Sequence, residues 1–242
     1  MIPTGKNYVL DNVLIVIPAR GGSKGIPNKN IYDINGKPLI QYTIDFAKNL
    51  PFQKDIIVST DSPIIRKISV ELGADCPFLR PRELSSDFVG DIPVLKHALK
   101  ECQRVFDKNY EVVLMLQPTS PIRFKEQIID GLQKFKERDL DMLISLSEVQ
   151  SKFHPLKQFY LKDELALFFL RGSSKIVARQ QLKKSFIRNG IFYIYKPKFL
   201  LNTRKYFSKK TGFLIIDTPY FNIDTIADIE ELKKYLLNFG EK

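Results

Sequence analysis

Runs of apolar residues alternate along the chain with segments in which apolar residues recur at helical spacing. The apolar runs predict strands at 13–17, 55–60, 111–118, 141–149, 190–197 and 211–220. The helical spacing predicts helices at 38–50, 62–73, 93–106, 126–138 and 225–239. Alternation of this kind predicts an α/β fold, in which a mostly parallel sheet carries helices on both faces. Ligands of such sheets bind beyond the carboxyl ends of the strands.

The ends of two predicted helices carry recognisable signals. Ser62 is a suitable N-cap, Pro63 suits the first helical position, and Gly73 is a typical C-terminal stop. Pro38 likewise suits the first turn of the helix at 38–50.

The segment after the fourth strand departs from this alternation. Residues 151–185 are aromatic and basic, and their periodicity is weak. Their strand-like pieces predict a protruding hairpin or an oligomer contact. No repeat or low-complexity linker divides the chain, so we expect one domain over residues 1–242 with this segment inserted in it.

Composition narrows the class of protein. The chain has 242 residues, of which 44% are hydrophobic and 27% charged, as in ordinary globular proteins. No apolar run reaches the length of a membrane span. The N-terminus lacks the pattern of a signal peptide, so we expect a cytoplasmic location and no membrane partner.

The residues available for chemistry are restricted. Cys76 and Cys102 fit no disulfide framework or zinc pattern and are expected to be buried thiols. His97 and His154 are the only histidines, which disfavours a histidine-rich metal site. The net charge of +11 suits a lysine-rich surface, a nucleic-acid partner or a small anionic substrate. No basic arm, zinc finger or RNA-recognition signature supports nucleic acid, and we expect no such partner.

The first strand runs into a basic, glycine-rich stretch, IPARGGSKGIPNKN, at residues 17–30. Its glycines allow backbone N–H groups to approach a ligand, and Arg20 and Lys24 add positive charge. This combination suits a polyphosphate. The stretch matches neither the P-loop nor the G-x-G-x-x-G fingerprint. A strand-to-helix turn that is merely basic is the alternative.

This stretch closely resembles the signature of the CMP-sugar synthetases, cytidylyltransferases that activate sialic acid and other nine-carbon 2-keto acids. Further matches follow in the family's order along nearly the whole chain. They are VSTD (58–61), LRPRELSSD (79–87), LQPTSPIR (116–123), HPLK (154–157), RQQ (179–181), RNGIFYI (188–194) and NIDT (222–225).

The resemblance implies the fold of the nucleotide-diphospho-sugar transferases, which is Rossmann-like, and a defined reaction. The anomeric hydroxyl of the sugar attacks the α-phosphate of CTP, and pyrophosphate leaves. Arg20 and Lys24 are then implied as catalytic residues that contact the triphosphate. The nucleotide site implied by the resemblance comprises Arg20, Gly21, Gly22, Ser23, Lys24, Asn30, Arg80 and Gln117. For Arg80, a surface ion pair with a carboxylate such as Glu83 is the alternative.

The acid sugar carries a carboxylate that needs a cationic partner. The resemblance implies a sugar site of Gln117, Lys157, Arg179, Arg188 and Tyr193. Arg188 departs from the family pattern R-P-N-G because it directly precedes Asn189. Any of these cations could instead be a solvated surface charge, and Tyr193 a core aromatic. His154 is expected to be structural.

The resemblance also implies Mg²⁺, held in the family by a D-I-D-T motif. This chain has Asn222 in place of the first aspartate and retains Asp224 as the principal ligand and catalytic residue. An asparagine oxygen can still ligate, and Asp91 is a candidate for a second carboxylate. A magnesium-bound hydroxyl, with Asp224 assisting as base, is the expected route of activation. N-capping of the last helix is the alternative role of Asp224.

The implied assembly is a homodimer in which residues 151–185 reach toward the partner's active site. Lys157 or Arg179 could then serve the neighbouring subunit. Three other functions stay open: a synthetase for the eight-carbon acid Kdo, a catalytically silent nucleotide-binding relative, and a basic nucleic-acid binder.

Overall fold

The computed structural model describes residues 12–239, and the signal-peptide expectation concerns residues 1–11, outside this part. The strands are β1 Val13–Pro18, β2 Asp33–Ile34, β3 Lys37–Pro38, β4 Lys54–Ser59, β5 Val112–Met115, β6 Met142–Glu148, β7 Phe159–Lys162, β8 Leu165–Phe168, β9 Phe186–Tyr195 and β10 Thr211–Ile215. The α-helices are α1 Leu39–Lys48, α2 Pro63–Glu71, α3 Asp91–Phe106, α4 Lys125–Glu137, α5 Pro197–Asn202 and α6 Ile226–Phe239. No helix among these residues is both long and apolar enough to span a bilayer.

Six strands form the central sheet in the order β10-β6-β9-β5-β1-β4. All neighbouring pairs are parallel except those of β9, which runs antiparallel to both β5 and β6. The prediction of a mostly parallel sheet is therefore confirmed. The reversed direction of β9, and its start at Phe186 ahead of the apolar run, were not predicted, because an apolar run carries no information on strand direction.

Helices cover both faces of the sheet, as predicted. Apolar side chains of α1, α2 and α4 pack on one face, with Ile15 of β1 among the buried residues there. Apolar side chains of α3 and α5 pack on the other face, with Leu14 of β1. Alternate residues of β1 thus pack into two separate cores, because successive side chains of a strand point to opposite faces of the sheet. Helix α6 packs separately against residues 26–39.

The predicted helix signals are largely confirmed. Ser62 caps α2 by accepting a hydrogen bond from the Ile65 N–H at 3.4 Å, and Gly73 adopts φ +86° just after the helix. Pro38 is a correction: it lies in β3 and is the N-cap of α1, not a residue of the first turn. Helix α3 begins at Asp91, two residues before the predicted start.

The segment 151–185 contains the predicted hairpin, formed by β7 and β8. Asp163 and Glu164 turn the chain with positive φ angles of 47° and 63°, as a two-residue hairpin turn requires. Both strands are mostly solvent-exposed, and Phe159 stacks on Phe168 with 4.5 Å between ring centres.

Candidate active site

The parallel strands β4, β1 and β5 are neighbours, and the loops that follow them lie at the same edge of the sheet. The loop after β1, here called the glycine-rich loop (residues 19–30), is fixed at two points. The Gly21 N–H donates to Asp61 Oδ1 at 2.9 Å, and Asn30 Nδ2 donates to the Arg20 carbonyl at 2.9 Å. Asn30 is buried. Asn30 therefore holds the loop in place from within.

The two cations predicted to bind a polyphosphate share one carboxylate. Arg20 Nη1 lies 2.6 Å from Asp87 Oδ1, and Lys24 Nζ lies 2.5 Å from Asp87 Oδ2. Hydrogen bonds from Lys24 and Arg20 lower the pKa of Asp87. One anionic group thus bridges both side chains, which is the arrangement that a phosphate oxygen pair would need.

A third cation lies beside the NIDT stretch. Lys29 Nζ donates to Asp224 Oδ1 at 2.9 Å and to the Ile223 carbonyl at 2.7 Å. Asn222 Nδ2 donates to Asp224 Oδ2 at 2.9 Å. The sequence argument did not assign Lys29 a role, although the residue stands in the quoted glycine-rich stretch.

The alternative role of Asp224 as a helix cap is wrong. Helix α6 begins at Ile226 and is capped by Thr225 and Asp228: Thr225 Oγ1 accepts from the Asp228 N–H at 3.3 Å, and Asp228 Oδ2 accepts from the Thr225 N–H at 2.7 Å. This reciprocal pair satisfies the helix start, so the Asp224 side chain is left to its contacts with Lys29 and Asn222.

Arg80 is buried rather than paired at the surface. Its Nε donates to Ser59 Oγ at 3.2 Å, and its Nη2 donates to the Ser59 carbonyl. Burial lowers the pKa of Arg80 to about 10, although the nearby Asp61 carboxylate acts in the opposite sense. Arg80 therefore does not form the ion pair with Glu83 that was the alternative.

These loops enclose a cavity of about 510 Å³, here called the first cavity. It takes in six of the predicted nucleotide residues and Asp224: Arg20, Ser23, Lys24, Asn30, Arg80, Gln117 and Asp224. Lys29, Asp87 and Asp91 also line it, and they were not predicted as nucleotide residues. Gly21 and Gly22 belong to the loop but not to the cavity wall.

A second cavity of about 320 Å³ adjoins the first. Arg188, Tyr193 and Asn222 line it, and four residues line both cavities: Asp91, Gln117, Thr119 and Asp224. The guanidinium of Arg188 lies 5.9 Å from the centre of the Phe207 ring. Tyr193 is buried, and burial raises the pKa of its hydroxyl.

The wall between Tyr193 and Gln117 rests on a buried amide network. Asn189 Oδ1 accepts from Ser145 Oγ at 2.6 Å, and Asn189 Nδ2 donates to Ser147 Oγ at 3.0 Å. Ser120 Oγ donates to the Asn189 carbonyl at 3.2 Å. Gly190 follows with φ +75°, a conformation that favours glycine.

Two predicted sugar residues are not brought to either of these cavities. Lys157 and Arg179 are both exposed and line a separate cavity of about 270 Å³ under the β7–β8 hairpin. Within one chain the predicted sugar site is therefore divided. His154 is buried and accepts from the Leu156 N–H at 3.1 Å through Nδ1, which fits its expected structural role.

The thiols are buried as expected, and burial raises the pKa of Cys76 to about 11 and that of Cys102 to about 12. No group of three or more His, Cys, Asp and Glu side chains suited to a metal occurs among residues 12–239. Asp224 and Asn222 offer one carboxylate and one amide. Because Mg²⁺ is commonly held by one or two carboxylates together with substrate phosphates, this donor set fits such an ion.

Comparison with known proteins decides the family. A family model described as cytidylyltransferase matches residues 14–239. The chain belongs to the cytidylyltransferase family. Together with the curated relatives described next, this match confirms the resemblance to nucleotidyltransferases that make CMP-sugars, and the chain is an enzyme of that kind. Cytidylyltransferases of this kind commonly use a divalent metal.

Two curated relatives illustrate the similarity. The pseudaminic acid cytidylyltransferase of Campylobacter jejuni is 31% identical over 222 residues, which are 91% of this chain and 94% of the relative. The N-acylneuraminate cytidylyltransferase of Streptococcus agalactiae serotype V is 36% identical over 200 residues, 82% of this chain. The match covers 46% of that longer protein.

Solved structures show the fold. The structure of CMP:2-keto-3-deoxy-manno-octonic acid synthetase complexed with CTP has a TM-score of 0.69 and 19% sequence identity. The match covers 94% of this chain and 99% of that one. The predicted fold of the nucleotide-diphospho-sugar transferases is confirmed.

Proposed function

We propose that this cytidylyltransferase transfers CMP from CTP to the anomeric hydroxyl of a nine-carbon 2-keto sugar acid of the sialic, legionaminic or pseudaminic type, releasing pyrophosphate. One observation carries the proposal. A cavity lined by four cations, Arg20, Lys24, Lys29 and Arg80, adjoins a second cavity lined by Arg188. Two anionic substrates can therefore lie side by side.

The first cavity would hold CTP with its triphosphate along the glycine-rich loop. Arg20 and Lys24 would exchange the Asp87 carboxylate for phosphate oxygens. Negative charge develops on the α-phosphate and on the leaving pyrophosphate, and fixed cations in a confined site stabilise it. Ser23, Arg80 and Gln117 line the remainder of the nucleotide site, and Asn30 keeps the loop in position.

The second cavity would hold the acid sugar. Arg188 would pair with its carboxylate, since a guanidinium can form two parallel hydrogen bonds to a carboxylate. Tyr193 and Gln117 supply a hydroxyl and a carboxamide for the hydroxyls of the sugar.

The metal in this proposal is Mg²⁺, with Asp224 and Asn222 as the protein's ligands. The ion would supply charge neutralisation and would lower the pKa of a bound hydroxyl. Asp224→Ala should therefore reduce turnover by far more than it weakens CTP binding. Steady-state kinetics and calorimetry measure the two quantities separately, and an unchanged turnover number would exclude this role.

A homodimer is part of the proposal because Lys157 and Arg179 lie outside both cavities. The segment 151–185 would place them at the partner's acceptor site. A mixture of two inactive variants tests this: Arg179→Ala together with Lys24→Met should regain activity on mixing, since one site of the mixed dimer keeps both residues. No recovery in a sample that light scattering shows to be dimeric would contradict the shared site.

The hypothesis that Kdo is the acceptor is the weaker alternative. The Kdo synthetase shares the fold at 19% identity, whereas curated relatives above 30% identity act on nonulosonic acids by their names. A cytoplasmic location stays a prediction and suits an enzyme that consumes CTP.

The deciding experiment measures pyrophosphate release. The protein is incubated with CTP and Mg²⁺ and, separately, with sialic, legionaminic and pseudaminic acids and Kdo. Release with one acid would establish the reaction and its acceptor. A matched pair of variants serves as control: Lys24→Met should lose activity, whereas Lys209→Met, which changes an exposed lysine outside both cavities, should not. CTP binding without release would favour the silent relative.

A further inference from the structure

The boundary between the two cavities is where the reacting atoms must meet. If CTP fills the first cavity and the acceptor the second, the α-phosphate and the attacking hydroxyl come together at the residues that line both. Asp91, Gln117, Thr119 and Asp224 are those residues. Only two of them, Asp91 and Asp224, carry a group that can accept a proton near neutral pH.

The two carboxylates differ in what already binds them. Asp224 receives hydrogen bonds on both oxygens, from Lys29 and from Asn222. Among residues 12–239, no hydrogen bond or ion pair engages the Asp91 carboxylate. Of the two boundary carboxylates, that of Asp91 is therefore the one without a hydrogen-bonded partner within this range.

The surroundings of Asp91 suit proton transfer. It is the first residue of α3 and is partly buried. Arg188 and Arg80 face it with positive charge, and the buried hydroxyls of Tyr193 and Tyr195 lie near it on β9. Burial raises the pKa of Asp91, and the two arginines act against that rise. A raised pKa makes a carboxylate a better proton acceptor.

We propose that Asp91 is the general base of the transfer, taking the proton from the anomeric hydroxyl of the acceptor. The hydroxyl O–H bond breaks, and its oxygen forms a bond to the α-phosphorus of CTP. The bond from the α-phosphorus to the bridging oxygen breaks, and pyrophosphate leaves with that electron pair. The proton on Asp91 then passes to solvent. This inference rests on the proposed function.

The test compares Asp91→Asn, which keeps the shape of the side chain but cannot take the proton, with Asp91→Glu, which retains a carboxylate. Glu126→Gln is the matched control, because it removes a negative charge from the first turn of α4 outside both cavities. Turnover with the accepted sugar acid, CTP binding, the Mg²⁺ requirement and the pH profile are measured for each protein.

Asp91→Asn should lower kcat by about 100-fold or more, the usual contribution of a general base. Its CTP affinity and half-saturating Mg²⁺ concentration should stay at wild-type values, and the fall in rate at low pH should disappear. Asp91→Glu should recover part of the rate, and Glu126→Gln should match wild type.

Two results would overturn the role of Asp91 as general base and leave the proposed function intact. One is a kcat for Asp91→Asn within about threefold of an active wild type, because a lost base costs far more. The other is a rise in the Mg²⁺ requirement as large as the loss of rate, which would make Asp91 a metal ligand. A wild-type protein that binds CTP but turns over none of the acids would overturn the proposed function and the base together.

Discussion

Gly190→Ala tests whether the wall of the second cavity is set by backbone conformation. A Cβ atom at residue 190 would lie 2.6 Å from Ser120 Oγ and 2.8 Å from Gln117 Oε1, distances that Cβ contacts do not tolerate. The φ of +75° adds a cost of about 1–2 kcal/mol for an L-residue. Overpacking a filled site adds about 1–3 kcal/mol, so we expect a total loss of roughly 2–5 kcal/mol in the free energy of unfolding.

Gly36→Ala is the matched control for this prediction. Gly36 has φ +81°, yet nothing lies within 4 Å of a Cβ built on it. Its substitution should therefore cost only the backbone contribution of about 1–2 kcal/mol. Urea unfolding of both variants isolates the contribution of Ser120 and Gln117 as the difference between them.

The kinetic part of the prediction follows from Gln117, which lines both cavities. To admit the new methyl group its carboxamide must move, so Gly190→Ala should raise the KM for the sugar acid while Gly36→Ala leaves it unchanged. Equal stability losses in the two variants, together with wild-type kinetics for Gly190→Ala, would refute the reasoning.

Two further predictions concern charge and burial. Asp87→Asn should release Arg20 and Lys24 and tighten CTP binding by about two- to fivefold, with a steeper dependence of the affinity on salt. Calorimetry at low and high ionic strength measures this affinity. Weaker CTP binding by the variant would show that Asp87 assists binding of the nucleotide. A second prediction concerns Cys76 and Cys102, which should resist a thiol reagent at pH 8 until urea unfolds the chain, because burial raises the pKa of both thiols. Rapid modification of the native protein would contradict their burial.

Much of the sheet could be predicted because buried parallel strands need apolar side chains on both faces. The runs at 13–17 and 141–149 correspond to β1 and β6 for this reason. The two-residue strands β2 and β3 were missed, since they are too short to show a period. The direction of β9 could not be predicted, because it depends on pairing with strands distant in sequence.

The site residues likewise divide into those that could be predicted from the sequence and those that could not. Arg20, Asp61 and Gln117 each follow a strand within two residues, so strand prediction alone brought their loops to one edge. Lys29 and Asp87 were missed because their roles arise from contacts between distant parts of the chain. The family motifs carried the prediction of Asp224, which spacing alone would not have placed beside the first loop.

The antiparallel strand β9 has a consequence for how the chain must assemble. It lies between β5 and β6, so it joins the half of the sheet that contains β1 and β4 to the half that contains β10. Synthesis proceeds from the N-terminus, and neither half can be joined to the other until residues 186–195 have emerged. Until then, the facing edges of β5 and β6 expose unpaired backbone groups that invite pairing with other chains. Nascent chains that stop before residue 186 should therefore be the most prone to aggregate and the most dependent on chaperones.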